Sequence, residues 1–182
     1  MIGSDFNWAL SLNEGGYAEP SVQRTLASLF EKEGVPYRLI HHPNTFTGPE
    51  HAASIHTPAR EVAKVVIVRV DDQYVMAVLP ADRPLDLNRF ARMIGARSLA
   101  VAEEWEVEKL FPDCHVGAMP PFGSLYGIPV YVDATLASQS VIFFSAGSHH
   151  ATFELNYADF DRLVSPLVGH LAIEHLVEAN DE

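Results

Sequence analysis

The chain has little sulfur, little positive charge and no long apolar segment. One of its 182 residues is cysteine, Cys114, so no disulfide can form within the chain, which is typical of a protein kept in a reducing cytoplasm. No apolar run approaches the roughly 18 residues of a membrane-spanning helix. The first basic residue is Arg24, whereas a secretion signal begins with basic residues. We therefore predict a cytoplasmic protein without a membrane segment.

Positive charge is scarce overall and concentrated in one place. Twelve basic residues oppose 24 acidic ones, and the net charge of -12 argues against broad, non-specific binding of nucleic acid. Residues 83–97 are the exception, because there four arginines face a single acid, Asp86. This segment could receive one specific polyanion or could be a solvated helix face. The arginines are Arg83, Arg89, Arg92 and Arg97.

Composition and element order predict the fold class. Hydrophobic residues make up 48% and charged residues 20% of the chain, as in ordinary globular domains. Apolar runs of strand length do not alternate strictly with helical patterns, which favours an α+β single domain with a mixed β-sheet flanked by helices. We expect residues 1–20 to be a tail, 21–176 the domain, and 177–182 a C-terminal tail.

Capping signals locate the helices. Ser21 is predicted to cap the first helix and Gly34 to end it. Thr47 begins a second helix through a capping box, and Asp86 begins a third. The runs VVIVRV and QYVMAVL predict a hairpin of buried strands. The chain is predicted to close with a helix that carries Leu167, Leu171 and Leu176.

The familiar signatures of metal and nucleophile sites are missing. His51 and His56 are five residues apart, as are His170 and His175, and this spacing does not place two ligands on one helix face. No HExxH motif occurs, and a lone cysteine, Cys114, cannot build a thiolate site. There is also no GxSxG, P-loop or GxGxxG motif. We therefore expect neither a metal nor a cofactor.

Two short features could bear chemistry. Lys64 stands immediately before VVIVRV, where its ammonium could reach water or could be held to bind a phosphate or a developing oxyanion. AGSHH at 146–150 is a predicted hairpin turn. Gly147, Ser148 and His149 could form only a turn, or their donors could form a small anion or oxyanion site.

A third feature is the segment GAMPPFGSLYGIPV, residues 117–130, which holds three glycines and three prolines. Prolines stiffen a backbone, and glycines let it approach a ligand closely. A strand-opening lysine, the GxxxP run from Gly117 to Pro121 leading into PPFG, and AG-x-H after an apolar strand occur here in order. This order resembles the YbaK/prolyl-tRNA-synthetase editing-domain family of free-standing aminoacyl-tRNA deacylases. The similarity extends from about Ser21 to Leu171.

The resemblance implies a fold of the same kind and a role for each matching residue. Lys64 takes the position most tied to activity, Gly117 and Pro121 shape the pocket for the amino-acid side chain, and His149 rather than His150 lines it. Phe46 and Thr47 are further candidates for substrate binding, and backbone N–H groups of Gly147 and Ser148 for the oxyanion. Candidates for tRNA phosphates are Arg60, Arg83, Arg89, Arg92 and Arg97.

The implied reaction is trans-editing, the hydrolysis of the ester that joins a small amino acid to the terminal adenosine of a mischarged tRNA. A ribose hydroxyl of the substrate would help to activate water. Alanine, serine, threonine and cysteine all remain open, as does the oligomeric state. Expected partners are the acceptor end of aminoacyl-tRNA and, as a candidate, an aminoacyl-tRNA synthetase. The alternatives are a non-catalytic nucleotide, amino-acid or tRNA-binding protein of the same fold and, more weakly supported, a metal-dependent hydrolase.

Overall fold

The structure is a computed structural model that describes residues 19–173. Its larger sheet has five strands and is mixed: the β2–β3 hairpin and the β2–β4 pair are antiparallel, while β5 runs parallel to β3 and β8 parallel to β5. In spatial order the strands are β4 (Leu99–Val101), β2 (Ala63–Val70), β3 (Gln73–Pro80), β5 (Val130–Asp133) and β8 (Leu167–Gly169).

A second, antiparallel sheet has three strands in the order β1 (Tyr37–His41), β7 (Ala151–Asn156) and β6 (Val141–Ser145). A parallel bridge between Val62 and Phe143 links it to the start of β2. The predicted α+β fold with a mixed sheet is confirmed, and the predicted VVIVRV–QYVMAVL hairpin forms β2 and β3.

Within residues 19–173 six α-helices accompany the sheets: α1 (Ser21–Lys32), α2 (Gly48–Ser54), α3 (Leu87–Ile94), α4 (Glu104–Leu110), α5 (Ala134–Ala137) and α6 (Tyr157–Val164). Thr47 and Glu50 form the predicted capping box, and the Asp86 carboxylate accepts from the Arg89 N–H at 2.9 Å, as predicted. The prediction that Ser21 caps the first helix is wrong. Ser21 is the first helical residue, and Pro20 occupies the cap position without a side-chain hydrogen bond.

The predicted closing helix is wrong over the residues that the structure describes. Leu167 begins a strand, β8, which pairs with β5. After β8, residues 170–173 are irregular apart from a bridge between Ala172 and Leu85. The N–H groups of Leu171 and Ala172 donate to the Asp133 carboxylate at 2.8 and 2.9 Å. Because Asp133 is buried, these donors stabilise its charge. Leu176, residues 1–18 of the predicted tail and the tail at 177–182 lie outside the described residues.

Two apolar clusters lie on opposite sides of the larger sheet. The main cluster lies between the sheets and includes Phe30, whose ring is 5.3 Å from that of Phe153. The second cluster packs α3 against the far side through Phe90 and Val68. Since strand side chains alternate between faces, Lys64 projects from the same face of β2 as Val68. The functional lysine candidate therefore stands on the α3 side of the sheet, at the start of β2.

Candidate active site

A cavity of about 250 Å³ lies where the start of β2, the loop before α2 and the turn between β6 and β7 meet. Residues 46, 47, 64, 117 and 149 are separated along the chain but converge here. The structure thus brings together five of the residues that the sequence singled out for substrate binding or catalysis, namely Phe46, Thr47, Lys64, Gly117 and His149.

Lys64 is held by the protein rather than extended into water. Its Nζ donates to the backbone carbonyl of Arg83 at 2.6 Å, and the side chain is half-buried. Burial lowers the pKa of Lys64, and the nearby Asp82 carboxylate acts in the opposite direction. An ammonium has three N–H groups, so two remain for a ligand in the cavity. This arrangement suits a fixed positive charge at an anionic group.

The loop before α2 positions Phe46 at the mouth of the cavity. Glu50 accepts hydrogen bonds from the N–H groups of Phe46 and Thr47 at 3.1 and 3.2 Å, and these bonds lower the pKa of its carboxyl. The backbone is thereby fixed while the Phe46 side chain stays 73% exposed. Its ring centroid lies 5.0 Å from that of His149. Phe46 thus presents a flat apolar face beside the cavity.

His149 has a defined protonation pattern. Its Nε2 lies 3.0 Å from the Val116 carbonyl, and because a carbonyl can only accept, Nε2 carries the proton. Burial and the nearby His115 lower the pKa of His149, and they outweigh the hydrogen bonds to the Val116 and Thr45 backbone, which act in the opposite direction. The net effect favours the neutral ring. Gly117 lies against this ring and has φ +84, and a Cβ there would be 3.6 Å from Cε1 of His149. Glycine is therefore required at 117 chiefly by its left-handed backbone.

The segment after Gly117 contributes less directly to the cavity than the sequence indicated. Met119 lines the cavity, whereas Pro121 is buried and is not one of its lining residues. Phe122 continues into the main apolar cluster. A Cβ at Gly123 would overlap the Ile128 carbonyl. Residues 118–123 are buried, and Met119 is the part of this run that contacts the cavity.

Gly147 is not placed to stabilise an oxyanion. Its N–H donates to the Ala118 carbonyl at 3.1 Å, so this donor is already used. Its φ of +91 and the closeness of Val22, which a Cβ would overlap, explain why glycine occupies the position. Ser148 is 1% exposed, and its hydroxyl has no hydrogen-bond partner among the described residues. Neither residue lines the cavity.

The five predicted arginines lie outside the cavity lining. The backbone carbonyl of Arg83 accepts from Lys64 beside the cavity. Its guanidinium instead donates to the Thr135 hydroxyl at 3.2 Å. Arg60 is 3.9 Å from Glu61, and Arg89 is 3.8 Å from Asp86. Arg92 and Arg97 are exposed on α3 and just beyond it.

His51 is a cavity residue that sequence reasoning missed. It is 8% exposed, and its Nε2 lies 2.5 Å from the hydroxyl of Thr152. The Nε2 of His42 lies 2.8 Å from the same hydroxyl. Burial, with His42 and His149 nearby, lowers the pKa of His51 to about 4. The signal was not local, because Thr152 is 101 positions away in sequence.

Cys114 does not have the environment of a nucleophile. It is half-buried, its sulfur lies 3.4 Å from the Tyr126 hydroxyl, and burial raises the pKa of its thiol to about 12. A thiol must ionise to act as a nucleophile.

Within residues 19–173, no group of three or more histidine, cysteine or acidic side chains could hold a metal ion.

Known proteins share this arrangement of sequence and fold. The family model described as the aminoacyl-tRNA editing domain matches residues 42–163, which include all the residues that line the cavity. The chain belongs to the aminoacyl-tRNA editing domain family. This editing domain is 29% identical over 146 residues to the multifunctional Ser/Thr-tRNA deacylase ProXp-y of Escherichia coli K12, which covers 78% of this chain and 87% of that protein.

Two further relatives extend the comparison. The editing domain is 30% identical over 123 residues to a proline–tRNA ligase of Fervidobacterium nodosum, covering 66% of this chain and 21% of the ligase. A solved structure of a candidate trans-editing enzyme for prolyl-tRNA synthetase superposes with a TM-score of 0.74 at 21% identity, over 85% of this chain and 98% of that one. This last likeness shows the fold. No helix in the described part of the editing domain is long and apolar enough to span a bilayer.

Proposed function

We propose that this editing domain removes small amino acids from mischarged tRNA in trans, by hydrolysis of the ester at the terminal adenosine. The observation that carries the proposal is the convergence of Lys64, His149 and Phe46 on one cavity of about 250 Å³. Sites for complete drug-sized ligands are typically about 300–1,000 Å³, so this volume suits a small aminoacyl group. Similarity along 87% of the E. coli deacylase supports the same reaction class.

Lys64 would supply the positive charge at the reacting end of the substrate. Its Nζ is anchored on the Arg83 carbonyl, so the remaining N–H groups have a restricted direction. In a partly desolvated site such a charge stabilises a phosphate or a developing oxyanion more strongly than it would in water. The Gly147 N–H is not included, because it already donates to the Ala118 carbonyl. The Ser148 N–H is kept as a proposed second donor, although Ser148 is not among the residues that line the cavity.

Water would be activated without an acidic side chain, since the cavity lining includes no carboxylate. We propose the neutral ring of His149, whose Nε2 donates to the Val116 carbonyl, as one acceptor beside the cavity. A ribose hydroxyl of the terminal adenosine is the other group that we propose to assist the water. The lowered pKa of His149 would keep this ring neutral near pH 7.

The terminal adenine would stack on Phe46. The ring is 73% exposed at the cavity mouth and is braced by His149. Stacking of a base on an aromatic side chain contributes about 1–3 kcal/mol. Arg92 is exposed on α3, the helix that packs on the same side of the larger sheet as Lys64. We propose that Arg92 and the exposed Arg97, with Arg60 and Arg89, meet phosphates of the acceptor stem. Their contribution would weaken with salt.

We further propose that the protein acts in the cytoplasm on the acceptor end of aminoacyl-tRNA, with an aminoacyl-tRNA synthetase as a candidate partner. Similarity to part of a proline–tRNA ligase supports this link to aminoacylation.

The deciding experiment is a deacylation panel with the purified protein and tRNA charged with alanine, serine, threonine, cysteine or proline. We expect hydrolysis of at least one small aminoacyl group and slower hydrolysis of the larger prolyl group. Binding of charged tRNA is measured in parallel. Binding without turnover on any substrate would contradict the proposal and favour the non-catalytic alternative.

A further inference from the structure

We propose that His51 selects substrates by accepting a hydrogen bond, through its Nδ1, from the side-chain hydroxyl of a seryl or threonyl group. The inference rests on the proposed function and identifies the substrate class of the same cavity. Its basis is a chain of hydrogen bonds that fixes which nitrogen of His51 carries the proton.

This chain of hydrogen bonds begins outside the cavity, at a backbone carbonyl. Nδ1 of His42 lies 2.8 Å from the Pro43 carbonyl, and because that oxygen can only accept, Nδ1 carries a proton. Burial lowers the pKa of His42, so its ring is neutral and its Nε2 has a free lone pair. That Nε2 lies 2.8 Å from the Thr152 hydroxyl. The hydroxyl must therefore donate its single proton to His42.

The next bond then has only one possible direction. The Thr152 oxygen has already donated its proton, so it can only accept from His51, whose Nε2 lies 2.5 Å away. Nε2 of His51 carries the proton, and Nδ1 is left as an acceptor. No described residue donates to Nδ1. His51 lines the cavity although the residue is 8% exposed, which places an unused acceptor in a nearly dry part of the protein.

The surroundings of this acceptor favour a neutral hydroxyl over the α-ammonium group of the substrate. Val62 and Ala81 line the same cavity with apolar surface. The lining has no carboxylate to balance an ammonium, and it already contains the cation of Lys64. A hydroxyl brings one donor and no charge, so it can pair with Nδ1 without a large desolvation cost. A methyl group in its place would leave Nδ1 unpaired.

The test compares substrates that differ by the side-chain hydroxyl. Threonyl- and valyl-tRNA are matched in size, because a methyl group replaces the hydroxyl, while seryl- and alanyl-tRNA compare the hydroxyl with a hydrogen. We expect the wild type to prefer the hydroxyl member of each pair. His51→Phe keeps a ring but removes the acceptor, and we expect the preference to fall by at least about tenfold. His170→Phe, at an exposed histidine outside the cavity lining, is the matched control and should leave both ratios unchanged.

A second arm adds a readout that does not depend on activity. Long-range ¹H–¹⁵N correlation spectra report the tautomer of each imidazole, and we expect the Nδ1–H form for His42 and the Nε2–H form for His51. Thr152→Val removes the hydroxyl that joins them and should weaken the hydroxyl preference, whereas Thr152→Ser should retain both the tautomers and the preference.

The outcomes separate the two proposals. If His51→Phe still deacylates tRNA and its rates fall equally on both members of each pair, this inference is overturned and the proposed function stays intact. An Nδ1–H form of His51 in the wild type would have the same consequence. Absence of turnover by the wild type on every charged tRNA would overturn the proposed function, and this inference with it.

Discussion

Acid should destabilise this editing domain through His51, and replacing the residue by phenylalanine should remove most of that effect. The ring is nearly buried and its pKa is lowered to about 4, because burial and the neighbouring His42 and His149 oppose a positive charge. In the unfolded chain the same ring has its ordinary pKa of about 6.5. Protonation at mildly acidic pH therefore favours the unfolded state.

The pKa difference sets the size and the pH range of the effect. Above pH 6.5 the ring is neutral in both states and causes no loss. As the pH falls from about 6.5 to about 4, the unfolded state binds the proton first and the free energy of unfolding decreases. The total decrease is about 3 kcal/mol. Below the folded pKa both states are protonated, so His51 causes no further loss.

The assay is urea unfolding of the wild type and His51→Phe at several pH values between 7.5 and 4.5, followed by circular dichroism. His42, His149 and His150 also have lowered pKa values, so both proteins lose stability in acid. The informative quantity is the difference between the two pH dependences. We expect the wild type to lose about 2 kcal/mol more than the variant across this range. Parallel curves would refute the burial and charge environment deduced for His51.

Three other predictions concern the cavity and its support. Pro121→Gly should lower the free energy of unfolding by about 0.4–1 kcal/mol, because glycine gives the unfolded chain more freedom. Since Pro121 does not line the cavity, the ratio of the deacylation rates on alanyl- and prolyl-tRNA should stay unchanged. A changed ratio would show that Pro121 takes a direct part in size selection. Phe46→Ala should raise KM for charged tRNA by about tenfold with a smaller effect on kcat, since stacking contributes about 1–3 kcal/mol, and an unchanged KM would exclude the stacking role. EDTA should leave deacylation unchanged, and a chelator-sensitive rate restored by a divalent ion would favour a metal-dependent hydrolase.

Local signals in the sequence predicted much of the fold because the interactions behind them are local. The capping box at Thr47 and the cap at Asp86 depend on residues three positions away, and both are present. The closing helix was wrong because Leu167 and Leu171 have helical spacing while their partners are distant. Pairing of β8 with β5 and the bonds to Asp133 decide that segment, and neither can be recognised from the residues around it.

The candidate site, like the fold, was predictable from the sequence only in part. Resemblance to a family identified Lys64, Gly117 and His149, and the structure places them in one cavity. The sequence resemblance could not reveal His51, because the tautomer of this α2 residue depends on Thr152, which lies far along the chain on β7. It also could not reveal that the Gly147 N–H already has an acceptor, because Ala118 approaches it only in the folded chain.

The proposed ester hydrolysis is tested most directly by the effect of Lys64→Ala on the rate at which a small amino acid is released from tRNA. Removing the ammonium leaves the Arg83 carbonyl beside an open cavity, so we expect the folded structure to persist with a loss of about 1 kcal/mol in stability. The deacylation rate should fall by about 100-fold or more, the typical effect of removing one group that stabilises a developing charge. Lys109→Ala, at an exposed lysine on α4, is the matched control and should retain the wild-type rate. A folded Lys64→Ala protein that deacylates at the wild-type rate would contradict the account.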